Sequence, residues 1–221
     1  MDSRGRQPCT EMQPEVTILT IGHSTRSLDE LIRLLQAYRV DLLADVRTVP
    51  RSRRNPQFNR DTLPAALHQV GISYVHLPAL GGLRRPRPDS PNTGWENEGF
   101  RGYADYMQTP QFEAGLQELL DLARQSQAAI MCAEAVPWRC HRSLIADALV
   151  VRGVSVEHIL SETRRQKHVL TPWAVVRDGR LYYPRASLCP KLFTEQAAEG
   201  ESPLPGNADR RRTQSQASEL T

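Results

Sequence analysis

The sequence predicts an α/β fold, a parallel-dominated sheet with helices on both faces, forming a single domain with a C-terminal hairpin and a disordered tail. Three observations carry this. Short β-rich apolar runs alternate with amphipathic helical patterns from Val16 to Leu160, the order that builds parallel sheets from β-α-β units. The first three elements already read strand, helix, strand, which implies a right-handed crossover between parallel neighbours. The apolar runs themselves, such as Ala128–Met131, are too short for helices and suit buried strands.

Val16–Gly22 is the first strand, ended by glycine ahead of His23-Ser24-Thr25. Ser27 and Glu30 form a Ser-x-x-Glu capping box, and Leu28, Leu31, Ile32, Leu34, Leu35 and Tyr38 follow as an amphipathic helix. Asp41–Val46 is the second strand and delivers Asp45 and Arg47 at its end. The next loop holds five arginines, at 47, 51, 53, 54 and 60, broken by Pro50 and Pro56, and reads as an anion-binding rim or a solvated surface. Asp61 is expected to cap a helix to Val70, with Gly71 ending it, and Ile72–Leu77 alternates as a third strand.

Pro78, Gly81 and Gly82 open an Arg- and Pro-rich insertion, Leu83–Gly99, read as a lid or binding loop, or else as disordered. Phe100–Met107 is a short helix. Thr109-Pro110 then supplies a cap and a first-turn proline for a helix burying Phe112, Leu116, Leu119, Leu120 and Ala123. The run ending at Met131 is the fourth strand, and Ser143–Arg152, with Leu144, Ile145, Ala148 and Leu149 at helical spacing and Gly153 as a stop, is the helix after it. Val154–Leu160 is a fifth strand, and Asp178-Gly179 between the β-rich runs of Ala174–Tyr183 signals a hairpin. Residues 1–14 are expected to be a flexible tail and 195–221, polar and poor in large apolar groups, a disordered one, which leaves 15–194 as the domain.

The chain has 221 residues, 39% of them hydrophobic, with 16 prolines, which suits one domain that does not take up the whole chain. No run of 18 apolar residues occurs and the N-terminal stretch is polar, so the expectation is a soluble, cytoplasmic protein without membrane contact. Cys9, Cys132, Cys140 and Cys189 show no disulfide framework and read as free thiols. Net charge is +3, and the only lysines are Lys167 and Lys191. Positive charge is therefore nearly all arginine, the side chain that forks onto phosphates and carboxylates.

Parallel strands bring their carboxyl ends to one edge, where ligands bind in open α/β sheets. Gly22-His23-Ser24, Asp45-Val46-Arg47, Cys132-Ala133-Glu134 and Cys140-His141-Arg142 are therefore expected to face one crevice. Together with Thr20-Ile21, Pro50, Ser52, Leu80-Gly-Gly82, Tyr103-Ala-Asp-Tyr-Met107 and Pro137, they resemble the bacterial and archaeal family called domain of unknown function 488, from about Val16 to Phe193. The resemblance implies a fold and a set of signature residues but no settled reaction. Some members carry a DNA-repair label, which implies nucleic acid as a possible class of partner.

Cys140 is the sharpest candidate. It stands where a helix begins, flanked by Arg139, His141 and Arg142, a setting that lowers a thiol pKa and raises its nucleophilicity. His23 and His141 are the candidate proton carriers. Arg142, Arg47 and Ser24 are expected to hold the anion of a phosphate-, sulfate- or carboxylate-bearing substrate, beside a helix N-terminus that favours negative charge. Asp45 and Glu134 are read as carboxylates that orient arginine and histidine, or that form ion pairs with Arg47 and Arg142. Cys132, inside an apolar strand, reads as a core residue.

These assignments describe a thiol-dependent transferase or hydrolase without a cofactor. A second reading has the arginine loops gripping nucleic-acid phosphates, although a net charge of +3 suits only a small footprint. A third makes Cys132, Cys140, His141 and His23 a metal site, against which stands the unusual Cys-x7-Cys-His spacing. The chain lacks a P-loop, a Gly-x-Gly-x-x-Gly after the first strand, a Gly-x-Ser-x-Gly elbow and a His-Glu-x-x-His helix.

Overall fold

A computed structural model describes residues 16–185. The two expected tails, Cys9, Cys189 and the Leu192-Phe193 ending lie outside the described residues. Six strands form one sheet in the order β3-β2-β4-β1-β5-β6. β1 (Thr17–Gly22), β2 (Leu42–Asp45), β3 (Ser73–His76), β4 (Ala128–Cys132) and β5 (Ser155–Ile159) run parallel, and β6 (Arg165–Lys167) pairs antiparallel with β5. The expected α/β architecture is present. β6 has no apolar alternation and is exposed throughout, so nothing in its pattern marks it as a strand.

The sheet has a core on each face because its central strands are buried on both sides. Leu31, Leu34 and Leu35 of α1 (Leu28–Ala37) and Leu63 and Leu67 of α2 (Leu63–Gln69) pack on Leu19, Ile21, Leu43, Ala129 and Met131. On the opposite face, α3 (Glu98–Tyr106), α4 (Pro110–Ala123) and α5 (Arg142–Val151) cover Ile18, Ala44, Ile130 and Cys132. Odd and even residues of one strand thus belong to different cores.

Local chemistry sets the ends of these elements. Ser27 caps α1 by accepting from Glu30 N, but the Glu30 carboxylate turns to Arg26 Nε instead of closing a full capping box. Thr109 caps α4, with Pro110 opening its first turn. Asp61 is not the cap of α2: the helix starts at Leu63, and the Thr62 hydroxyl before it donates back to the carbonyls of Pro56 and Asn59. The hairpin of β7 (Val175–Arg177) and β8 (Arg180–Tyr182) turns at Asp178 and Gly179, both at positive φ, as the two-residue turn requires.

The 83–99 insertion is packed against the domain. Asp105 of α3 accepts from Arg87 N, Ser90 Oγ and Asn92 Nδ2, and Asn92 in turn accepts from Tyr183 N. One buried carboxylate therefore gathers the segment and ties it to the end of the hairpin. No helix among the described residues is long and apolar enough to cross a membrane.

Candidate functional site

The strand-end groups meet at one edge of the sheet, but the pleat sorts them onto two faces. β2 and β4 pair with Asp45 level with Met131, which places the carboxylate on the α1–α2 side. Cys132 is level with Gly22 and faces α5. The single expected crevice is therefore two clusters, linked through the β2 backbone.

The first cluster is built on Asp45 and Arg47. Asp45 Oδ1 accepts from Arg47 N at 3.0 Å and from Nε at 2.9 Å, and Oδ2 from Nη2 at 2.6 Å and from Tyr74 OH at 2.8 Å. Arg47 Nη2 also donates to Phe58 O, and Nη1 to His23 Nε2 at 3.2 Å. Burial opposes the Arg47 charge, but the hydrogen bonds and charge of Asp45 outweigh it and raise the guanidinium pKa. Every nitrogen of Arg47 is engaged, so it serves as an internal strut rather than an open anion holder.

His23 belongs to the same network. Its Nδ1 donates to Ser24 O at 3.0 Å, its Nε2 accepts from Arg47, and its ring lies 4.4 Å from that of Phe58. Burial first, then the Arg47 charge, lowers its pKa to about 4. With both ring nitrogens committed, His23 braces the loop after β1. Ser24 sits at φ 48 with its N–H on Ala133 O, which fixes the turn after β1 to the turn after β4.

The second cluster holds the thiols. Cys132 and Cys140 are free and only 9% and 5% exposed. His141 Nδ1 lies 3.8 Å from Cys132 Sγ and 3.6 Å from Cys140 Sγ, while its Nε2 donates to Val46 O at 3.0 Å. That carbonyl holds the ring so that Nδ1 faces both sulfurs. Cys132 lies in the core, as expected, and also stands beside Cys140 and His141. Gly82 explains the Gly-Gly signature: a Cβ there would meet His141 Nδ1 at 2.4 Å. Tyr103, whose hydroxyl donates to Leu80 O, holds this loop over the imidazole ring 5.0 Å away.

Arg142, 1% exposed, donates from Nε to Cys140 Sγ at 3.4 Å, from Nη1 to Thr20 Oγ1 at 3.3 Å and from Nη2 to Glu134 O. Cys140 is held well below the ordinary thiol range, first by its hydrogen bond from Cys132, against the opposing effect of burial, and then by His141 and Arg142. Cys132 is pushed up, first by that same hydrogen bond and then by burial. The Glu134 carboxylate touches neither arginine nor histidine among the described residues. It accepts from Val136 N and shapes the turn, while its backbone carbonyl is what Arg142 grips.

Behind Arg142 runs a chain of buried polar groups whose place in the site the sequence reading missed. Thr20 Oγ1 lies 2.7 Å from His158 Nδ1, His158 Nε2 lies 3.0 Å from His168 Nδ1, and His168 Nε2 lies 2.8 Å from Asp147 Oδ1. With Arg142 donating to Thr20 and Thr20 to His158, every bond runs one way towards Asp147. Burial, then the His168 and Arg142 charges, lowers the His158 pKa to about 4. The one available signal was Asp147, a carboxylate on the apolar stripe of α5, where it is fully buried.

No curated protein and no solved structure matches this chain. The family model described as domain of unknown function DUF488 matches residues 27–149. The match takes in Asp45–Arg47, Gly81-Gly82, Tyr103–Met107 and Cys132–Arg142, and leaves out Thr20–Ser24 and the residues after α5. A match over more than half of the chain, carrying both clusters' central residues, establishes that the chain belongs to the DUF488 family.

Proposed function

We propose that this chain is a thiol-dependent enzyme in which Cys140 is the nucleophile towards an anion-bearing substrate, in a transferase or hydrolase reaction. The carrying observation is the placement of Cys140 Sγ between Arg142 Nε and His141 Nδ1, beside Cys132. Arg142 supplies the positive charge that a buried thiolate needs. His141, oriented by Val46 O, takes the proton that Cys140 loses and returns it to the leaving group. With Arg47 and Arg142 turned inward, the substrate's anion falls to the exposed guanidiniums of Arg51, Arg53, Arg54 and Arg60, on the loop that follows the Asp45–Arg47 pair.

A second reading is favoured by the distances from His141 Nδ1 to the two sulfurs. A tetrahedral zinc with Zn–S of about 2.3 Å and Zn–N of about 2.0–2.1 Å holds its ligand atoms roughly 3.6 Å apart, and the N···S distances here are 3.6 and 3.8 Å. The second ring nitrogen on a backbone carbonyl is also the usual support of a metal-bound histidine.

One experiment separates the two: the pH dependence of iodoacetamide labelling at Cys140, read by mass spectrometry beside Cys132, with metal content measured on the same sample. Labelling of metal-free protein with an inflection well below the free-thiol value of about 8.5 supports the nucleophile. One equivalent of metal, with labelling only after chelation, replaces it by the metal centre. A Cys140 that resists labelling in metal-free folded protein removes the thiol from the chemistry. The DNA-repair reading makes a different demand, binding to DNA that falls steeply with salt and depends on the four exposed arginines.

A further inference from the structure

All three tryptophans of the chain, Trp95, Trp138 and Trp173, line one cleft of about 360 Å³ together with His158, His168 and Lys167. The thiol reading uses none of the indoles. Trp95 is fixed in the wall, stacked on Phe100 at 4.8 Å and edge-on to Trp173 at 5.2 Å, yet its Nε1–H is buried with no acceptor among the described residues. Trp138 and Trp173 are 64% and 39% exposed, so two large aromatic faces stand in water at the same opening. Lys167 is exposed and has no carboxylate partner among the described residues. Its cross-strand neighbour Glu157 pairs with Arg165 instead.

We propose that this cleft binds a planar heteroaromatic ring carrying a negative group, the chemistry of a nucleotide. The ring stacks on the open indoles and the phosphate pairs with Lys167. Aromatic walls also attract cations, but the Lys167 charge at this opening disfavours one. The ring nitrogens of His158 and His168 are already bonded to each other, to Thr20 and to Asp147. They therefore give the cleft a rigid floor rather than competing donors. The volume is that of a small-ligand site.

Because every tryptophan lies in the cleft, intrinsic fluorescence reports on it directly. The full chain is titrated with AMP, GMP and UMP, and with adenosine and ribose 5-phosphate as partial probes. Saturable quenching by a nucleotide, weaker with adenosine and absent with ribose 5-phosphate, is the expected result. Trp138→Ala weakens nucleotide binding at least about fivefold, the size of one lost stacking contact. Lys167→Ala weakens the nucleotide and leaves adenosine unchanged.

An eight-residue oligoadenylate distinguishes the sources. Tighter, salt-sensitive binding than AMP assigns the nucleotide to a strand, and equal or weaker binding assigns it to the free molecule. Absence of saturable quenching by all three nucleotides, or quenching that both variants leave intact, overturns the proposal. No thiol enters the titration, so its failure leaves the reading of Cys140 untouched.

Discussion

Arg142 and Cys140 are in buried contact: the guanidinium Nε donates to the sulfur at 3.4 Å, and its other partners are the Thr20 hydroxyl and backbone carbonyls rather than a carboxylate. The proposed thiolate is the counter-ion of this arginine. Arg142→Lys keeps a charge but loses the fork. The midpoint of Cys140 alkylation is then expected to rise towards about 8.5, with a lower melting temperature. A midpoint that stays put in a folded variant would show that Cys132 and His141 suffice.

The Asp45–Arg47 pair makes a separate prediction about stability. Asp45→Asn leaves a buried guanidinium without its charge partner and removes the acceptor of Tyr74 OH. A loss of about 3–5 kcal/mol is expected from breaking one side of such a pair, measured as a shifted urea midpoint. A change below 1 kcal/mol would mean that water reaches Arg47 in solution.

Acid should unfold this protein earlier than its carboxylates alone require. His23 and His158 each titrate near 4 in the folded chain against 6.5 when free. Between those values the unfolded chain binds protons that the folded chain refuses. Stability is therefore intact above about pH 6.5 and falls as pH drops towards 4. Urea titrations across that window should show the slope, and the double variant His23→Gln, His158→Gln should flatten it.

Gly82 tests the link between loop and imidazole. Gly82→Ala places a methyl 2.4 Å from His141 Nδ1, so ring or loop must move. A cost of roughly 1–3 kcal/mol is expected from such overpacking, together with slower alkylation of Cys140. An unchanged alkylation rate in the folded variant would show that the loop gives way and the imidazole does not.

Much of this was legible because local rules acted locally. The Thr109 cap, the Asp178-Gly179 turn and the apolar runs of β1, β2 and β4 each declare themselves within a few residues. Cys140-His141-Arg142 declared itself by standing before a helix. What stayed hidden depended on register. Only the pairing of Asp45 with Met131, and of Cys132 with Gly22, decides that the carboxylate and the thiol fall on opposite faces. The histidine chain was hidden for a related reason: His168 follows β6, a strand without an apolar pattern, and reaches His158 only through that pairing.

The position of β4 has a kinetic meaning. It lies between β1 and β2, so the two strands made first have no direct contact in the sheet and must wait for Leu19 to meet Ala129 and Leu42 to meet Ala128. Contacts that distant in sequence form slowly. The thiols sit on that strand and at the head of the helix after it, so Cys140 is buried as β4 enters between its neighbours. Loss of Cys140 reactivity during refolding would therefore time the entry of β4.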